Sequence, residues 1–258
     1  MLIEQTLFGT VDKVAVAIAR LREFEPPEGY YVAFSGGKDS VVILDLVKCA
    51  EVKYDAHYNL TTVDPPELVK FIREKHPEVK WHKPKLSMWR LIEKKRMPPT
   101  RMVRYCCDVL KEGGGKGRRI VTGVRWAESA KRAKRRVVEQ CFKDAAKTFV
   151  NPIIDWSDED VWQYIHSNNV LYCSLYDEGF RRLGCIMCPM QGTDGMLRDA
   201  ARWPKYYKTY VRAFGRMIEE KKKRDGFNSV KWKTAEDAIF WWIHKPPKGD
   251  PDQGVLFE

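Results

Sequence analysis

Two sets of residues in this chain have types and spacings suited to chemistry. The first is Ser35, Gly36, Gly37, Lys38, Asp39 and Ser40, between the apolar run Tyr30 to Phe34 and the helix-like run Val41 to Val47. A strand, a tight loop and a helix N-terminus together present backbone N–H groups and the positive helix end to an anion. The glycines permit close approach, the two serines add hydroxyl donors, and Lys38 adds a charge. The spacing is not that of a Walker A loop. The second set is cysteine. Of seven cysteines, Cys106 and Cys107 are adjacent, and Cys185 and Cys188 form a C-x-x-C flanked by Gly184 and Pro189. Four thiolates suit either an all-cysteine zinc site or an iron–sulfur cluster. Zinc sites draw on two C-x₂₋₄-C knuckles, which a Cys-Cys pair supplies poorly, whereas a cubane has separate irons and accepts neighbouring cysteines. Arg101, Arg104 and Lys111 would offset its charge. Cys49, Cys141 and Cys173 read as small packed residues.

The elements that must position these groups follow from the pattern of the chain. Residues 10–23 read as an amphipathic helix capped by Thr10, with Val11, Val14, Ile18 and Leu21 on one face. Strands are expected at 30–34, 54–60, 79–82 and 119–124, and a helix at about 68–75. Residues 86–112 read as helical and basic, with a break at Met97 to Thr100, and Gly113 to Gly117 form a flexible link. Ser157 with Asp160 three residues on reads as a helix cap for 161–167. The rest is helical, about 196–223 and 234–244. Trp203, Tyr206, Tyr207, Tyr210 and Phe214 there read as core.

This alternation implies an α/β protein with a doubly wound parallel sheet and a C-terminal helical appendage, its ligands at the C-terminal strand edge. The blocks are 1–27 (N-terminal helix), 28–190 (nucleotide-binding domain with the cysteines) and 191–258 (helices and tail). On the same edge fall Asp64, which either caps the next helix or binds ribose or a metal-bound phosphate, and Gly123, Arg125, Ser129 and Arg132, a second anion site. Lys131 to Arg136 is either a solvated face or a phosphate-tracking patch.

A chain of 258 residues with 44% hydrophobic and 31% charged residues is expected to be a soluble globular protein. No apolar run reaches membrane-spanning length and no signal peptide is apparent, so the expected place is the cytoplasm and no membrane partner is expected. The odd cysteine number argues against structural disulfides there. A net charge of +11 favours anionic partners, nucleotides or nucleic acid.

Ser35 to Ser40 resembles the PP-loop of the ATP pyrophosphatases, the group with adenine nucleotide alpha-hydrolase folds. Several further pieces occur in family order: Thr62 to Glu67, Arg104 to Cys107, Gly123 to Arg125 with Glu128, Ser129 and Arg132, Asn151 to Ile153 with Trp156, Val161 with Trp162, and Cys185-x-x-Cys188-Pro189. Together, over about residues 28–190, they resemble the phosphoadenosine phosphosulfate (PAPS) reductase family. The cysteine arrangement is similar to that of adenylyl-sulfate (APS) reductases and of the iron–sulfur component of DNA phosphorothioation systems. The resemblance implies a 4Fe–4S cluster on Cys106, Cys107, Cys185 and Cys188. It also implies ATP or a related adenine nucleotide, with Mg²⁺, on Ser35, Gly36, Gly37, Lys38, Asp39, Ser40, Asp64, Gly123, Arg125, Ser129 and Arg132. Lys38, Asp39 and Arg125 are the expected catalytic residues.

The chain departs from the family in one respect. Sulfonucleotide reductases use a cysteine in a C-terminal Glu-Cys-Gly-type motif, and no cysteine follows Cys188. The expectation is therefore a PP-loop ATP pyrophosphatase that adenylates a substrate, DNA or tRNA, for sulfur transfer, with a donor such as a cysteine desulfurase. The alternatives are sulfonucleotide reduction with an external thiol, and a nucleotide-binding module without chemistry. Gln253 to Phe257 resembles the peptide that replication proteins dock onto the sliding clamp, although short apolar tails also fold back on their own domain.

Overall fold

Tyr30 and Val32, on the strand that leads toward the Ser35–Ser40 loop, and Phe34 just after it are buried, and the sheet is built outward from that strand. The structure, a computed structural model, describes residues 2–7, 9–141, 144–226 and 231–244. The clamp-like tail at 253–257 lies outside the described residues.

The main sheet takes β3 (Tyr30–Ala33), β4 (Tyr54–Asn59), β5 (Lys80–His82), β6 (Arg119–Val121), β7 (Val138–Gln140) and β8 (Thr148–Val150). Its order is β5-β4-β3-β6-β8-β7. The first five in that order are parallel, and β7 joins antiparallel to β8 at the edge. The chain winds from β3 through β4 to β5 on one side and returns through β6 to β8 on the other. The strand order thus reverses between β3 and β6, where open α/β sheets bind ligands. Val32 pairs with Val121, so the Ser35 loop and the Gly123–Arg125 segment leave the sheet at the same level. The α/β reading with a mostly parallel sheet and C-terminal helices holds.

By contacts the described chain groups into two compact units that cut across the sequence blocks. One holds residues to Leu60, Asp64–Lys83 and Gly113–Gly184; the other holds Thr61–Val63, Pro84–Glu112 and the chain from Cys185 on. The first contains the sheet with α1 (Lys13–Glu23), α2 (Lys38–Cys49), α3 (Pro66–Lys75) and α6 (Asp158–Ser167). The second contains α4 (Met88–Lys95), α5 (Tyr105–Leu110), α7 (Gly192–Arg202), α8 (Pro204–Asp225) and α9 (Ala235–Ile243).

Several local expectations are corrected. Thr10 does not cap α1: it lies in β2 (Gly9–Asp12), paired with β1 (Ile3–Thr6). Asp12 is the cap, its carboxylate accepting from Val14 N at 2.8 Å and Ala15 N at 3.1 Å. The helix expected over 196–223 breaks at Trp203, because Pro204 supplies no N–H and pushes the residue before it out of helical geometry. The strand expected over 119–124 ends at Val121. The capping box of Ser157 and Asp160 is present as read. In the second unit Trp203, Tyr210 and Phe214 are buried, with Tyr210 packed on Trp242 at 4.8 Å between ring centroids.

Candidate nucleotide and cysteine sites

The Ser35–Ser40 loop is shaped by its own side chains. Gly36 takes a φ of +72°, and a Cβ on it would meet Leu68 Cδ1 at 2.7 Å and Ile72 Cδ1 at 2.8 Å. Gly37 is the N-cap of α2 and has no side chain to satisfy the helix's first N–H groups. Ser40 Oγ donates to Gly37 O at 2.8 Å and accepts from Ser35 N at 3.2 Å, which closes the turn. Tyr176 OH accepts from Lys38 N at 2.8 Å. Burial pushes the Tyr176 phenol well above its usual range, so it stays neutral at this helix end.

The charges around the loop alternate in sign. Asp158 Oδ1 takes Lys38 Nζ at 3.2 Å and Arg125 Nη2 at 2.5 Å. Asp39 takes Arg125 Nε at 2.7 Å on one oxygen and faces Lys38 Nζ at 3.6 Å with the other. Arg125 Nη1 donates to Trp156 O at 3.2 Å, and the side chain is only 1% exposed. Burial would raise the Asp158 carboxyl, but the Arg125 hydrogen bond and the Lys38 charge hold it below the usual carboxylate range. Arg125 is therefore a buried strut between two acids, and Lys38 is the cation at the first turn of α2.

The remaining expected residues sit as follows. Asp64 is buried and is not the cap of α3, whose N-cap is Pro65 without a side-chain cap bond. A Cβ on Gly123 would come within 2.9 Å of Asp39 Cβ, so this glycine allows β6 and the start of α2 to close together. Ser129 is exposed, its Oγ accepting from Arg132 N at 3.3 Å. Arg132 pairs with Glu128. Burial, then Arg182, Arg135 and Arg125, lower the Arg132 pKa, while Asp39 opposes them. The basic run 131–136 forms a 3₁₀ turn at Arg132–Lys134, with Lys131, Lys134 and Arg136 exposed.

Two residues at this site escaped the sequence. Asp158 lies inside the Ser157–Asp160 cap and carried no reading of its own, and no spacing tied Tyr176 to Lys38. The one available signal was an acid at the first position of a helix that leaves the same sheet edge.

All four candidate cysteines fall in the second unit. Met187, between Cys185 and Cys188, has a φ of 56°, and Cys188 N donates to Cys185 O at 3.2 Å. Cys185 Sγ donates to Thr61 Oγ1 at 3.5 Å, and Arg104 Nη2 donates to Cys107 Sγ at 3.2 Å. The hydrogen bond from Cys106, with Arg104 beside it, pulls the Cys107 thiol below its ordinary range against the effect of burial. The same bond and burial push Cys106 up, with Cys185 and Cys188 adding to it. Among the described residues no three His, Cys, Asp or Glu side chains converge on one metal position. The four thiols share one compact unit, with the Arg104 guanidinium on the Cys107 sulfur. Four thiols as donors are the chemistry by which a polynuclear iron group is held, each iron taking one thiolate. Of the other cysteines, Cys173 is buried as expected, but Cys49 is exposed, 4.0 Å from Asp45 Oδ2.

Residues 29–191 match the phosphoadenosine phosphosulfate reductase domain, more than half of the chain. The chain belongs to that family. It is 29% identical over 199 residues to an adenosine 5′-phosphosulfate reductase of Oceanobacillus iheyensis, across 69% of this chain and 78% of that one. Uncharacterized protein MJ0973 of Methanocaldococcus jannaschii is 30% identical over 230 residues, 84% of this chain and 52% of its own length. The chain thus spans about half of that relative. A phosphoadenylyl-sulfate reductase structure from Candida auris, in a phosphate complex, aligns with a TM-score of 0.49 and 22% identity, over 66% of this chain and 87% of that one. Among the described residues no helix is long and apolar enough to cross a membrane.

Proposed function

We propose that this member of the PAPS reductase domain family is an enzyme that binds an adenine nucleotide at the Ser35–Ser40 loop and transfers its adenylyl group. The observation that carries the reading is the N-terminus of α2. There the Gly36–Gly37 backbone, the Ser35 and Ser40 hydroxyls and Lys38 come together at the sheet's switch point. With ATP, an acceptor nucleophile attacks the α-phosphorus, the α–β P–O bond breaks, pyrophosphate leaves with the electron pair, and the acceptor proton passes to solvent. Lys38 and the loop N–H groups stabilise the charge growing on pyrophosphate, and Mg²⁺, if bound with the nucleotide, would supply further neutralisation of the phosphates. Asp39 and Arg125 hold Lys38 and the loop in place. Asp64, Gly123, Ser129 and Arg132 complete the nucleotide surface.

Cys106, Cys107, Cys185 and Cys188 hold a 4Fe–4S cluster in this reading. When bound, such a group supplies electron or sulfur transfer. The net charge of +11 favours a nucleic acid acceptor, DNA or tRNA, with the sulfur coming from a desulfurase. The second reading, reduction of adenosine 5′-phosphosulfate by an external thiol, is favoured by the reductase relatives.

One experiment separates the two. Anaerobically prepared protein is titrated with ATP and with adenosine 5′-phosphosulfate, then assayed for pyrophosphate release with RNA or DNA acceptors and for thiol-dependent sulfite release. Preferred ATP binding with pyrophosphate release supports adenylyl transfer. Sulfite release replaces it with reduction. Binding of neither nucleotide overturns both.

A further inference from the structure

The Cys185–Cys188 turn is held by a side chain that comes from α7. Asp199 is 2% exposed, and its Oδ2 accepts from Met187 N at 2.8 Å and from Gln191 Nε2 at 2.8 Å. Gln191 Nε2 also donates to Cys185 O at 3.2 Å, so one carboxylate oxygen reaches both ends of the turn. The Gln191 side chain lies against Gly195, where a Cβ would stand 2.6 Å from Gln191 Cβ. Met187 is fully buried and left-handed, a conformation that a non-glycine residue holds only when its surroundings impose it. The turn's other polar groups are fixed too. Ile186 N donates to Val63 O at 2.8 Å, and Ile186 O accepts from Tyr210 OH at 3.1 Å. A buried carboxylate is costly, and α7 does not need one to satisfy its own backbone.

We propose that Asp199 is a positioning residue whose carboxylate imposes the left-handed Met187 turn and thereby presents Cys185 and Cys188 together to one prosthetic group. The proposal rests on the cluster reading above for its purpose, but its geometry belongs to the protein alone. Removing the acceptor leaves Met187 N–H without a partner and frees Gln191. Replacing it with an amide keeps an oxygen for both donors, removes the charge, and puts an NH2 where Oδ1 faces Arg198 Nη2 at 3.8 Å.

Backbone amide exchange is measured on the cluster-free, reduced full chain. Iron per chain and the cluster's reduction potential are measured after anaerobic reconstitution with iron and sulfide. Asp199→Ala is expected to speed exchange at 186–188 at least tenfold, while β3 and β4 exchange as in the wild type, and to lower iron retention. Asp199→Asn is expected to restore slow exchange and iron, with a potential displaced upward by loss of the negative charge. Wild-type exchange at 186–188 in the Ala variant overturns the proposal. If that variant does not fold, Gln191→Ala decides. About threefold faster exchange at 185–188 supports the proposal, and unchanged exchange overturns it. If the wild type takes up no iron while Asp199→Ala still loosens the turn, the positioning role stands and the cluster reading falls.

Discussion

Gly36→Ala and Gly37→Ala separate what the fold requires of the Ser35–Ser40 loop from what a ligand requires. At Gly36 the φ of +72° costs an L-residue about 1–2 kcal/mol. The new methyl would also lie 2.7–2.9 Å from Leu68 Cδ1 and from Ile72 Cδ1 and Cγ1. Both side chains are buried, so making room adds about 1–3 kcal/mol of overpacking. The expected loss is about 2–5 kcal/mol, a large part of the ~5–15 kcal/mol typical of a folded protein. At Gly37 the backbone is ordinary, with a φ of −77°, and the nearest atom to a new Cβ is Tyr176 OH at 3.4 Å. There the cost is only that of alanine at a helix N-cap, about 1 kcal/mol. A methyl beside the first N–H groups of α2 would, however, keep phosphate at a distance, weakening nucleotide binding by about tenfold or more. The assay is urea unfolding of both variants beside calorimetric titration with ATP. Equal unfolding midpoints for Gly36→Ala and the wild type, or a Gly37→Ala variant as destabilised as Gly36→Ala, would refute this account of the loop.

Three other outcomes follow from the same site and sheet. Arg125→Met leaves Asp39 and Asp158 sharing Lys38 without the buried guanidinium that pairs with both. Because both acids are partly exposed, the expected loss is about 2–3 kcal/mol in denaturant, and an unchanged midpoint would count against the strut role. Lys38→Met is expected to weaken ATP or pyrophosphate binding at least about tenfold while leaving the unfolding midpoint nearly unchanged, by titration and urea melts. His57 is stacked on Tyr31, 2.6 Å from Asp55 and 2.7 Å from His82, with Lys80 and Arg118 also on Asp55. Burial, despite Asp55, lowers its pKa below the ordinary value of about 6.5. The unfolded chain then binds more protons as pH falls, so stability is present above about pH 6.5 and is lost below it. Urea midpoints at pH 7.5 and pH 5 should differ in that direction, and His57→Asn should shrink the gap. An equal gap in the variant would rule His57 out as the source.

Much of the Ser35–Ser40 loop was legible in the order of residues, because its parts are neighbours along the chain. The apolar run into Ser35, the paired glycines and the helix beginning at Lys38 specify strand, turn and helix through interactions only a few residues long. Backbone sterics and helix ends act at that range. The cap of α6 by Ser157 and Asp160 was readable for the same reason, and the alternation of strands and helices was enough for a parallel sheet. Local pattern failed where a neighbour overrode it. The segment around Thr10 became a strand once it could pair with Ile3–Thr6, and one apparent helix split at Pro204. The loop's long-range partners lie far along the chain: Tyr176 is 138 residues from Lys38, and Arg125 meets Asp39 across 86. The two cysteine pairs could be counted in the sequence. That they share one compact unit, and that Asp199 holds the second pair's turn, depends on α7 packing against that turn. Short-range sterics and capping are written into consecutive residues, whereas a buried charge finds its counter-charge only after the chain has collapsed and the cost of leaving it unpaired selects the arrangement.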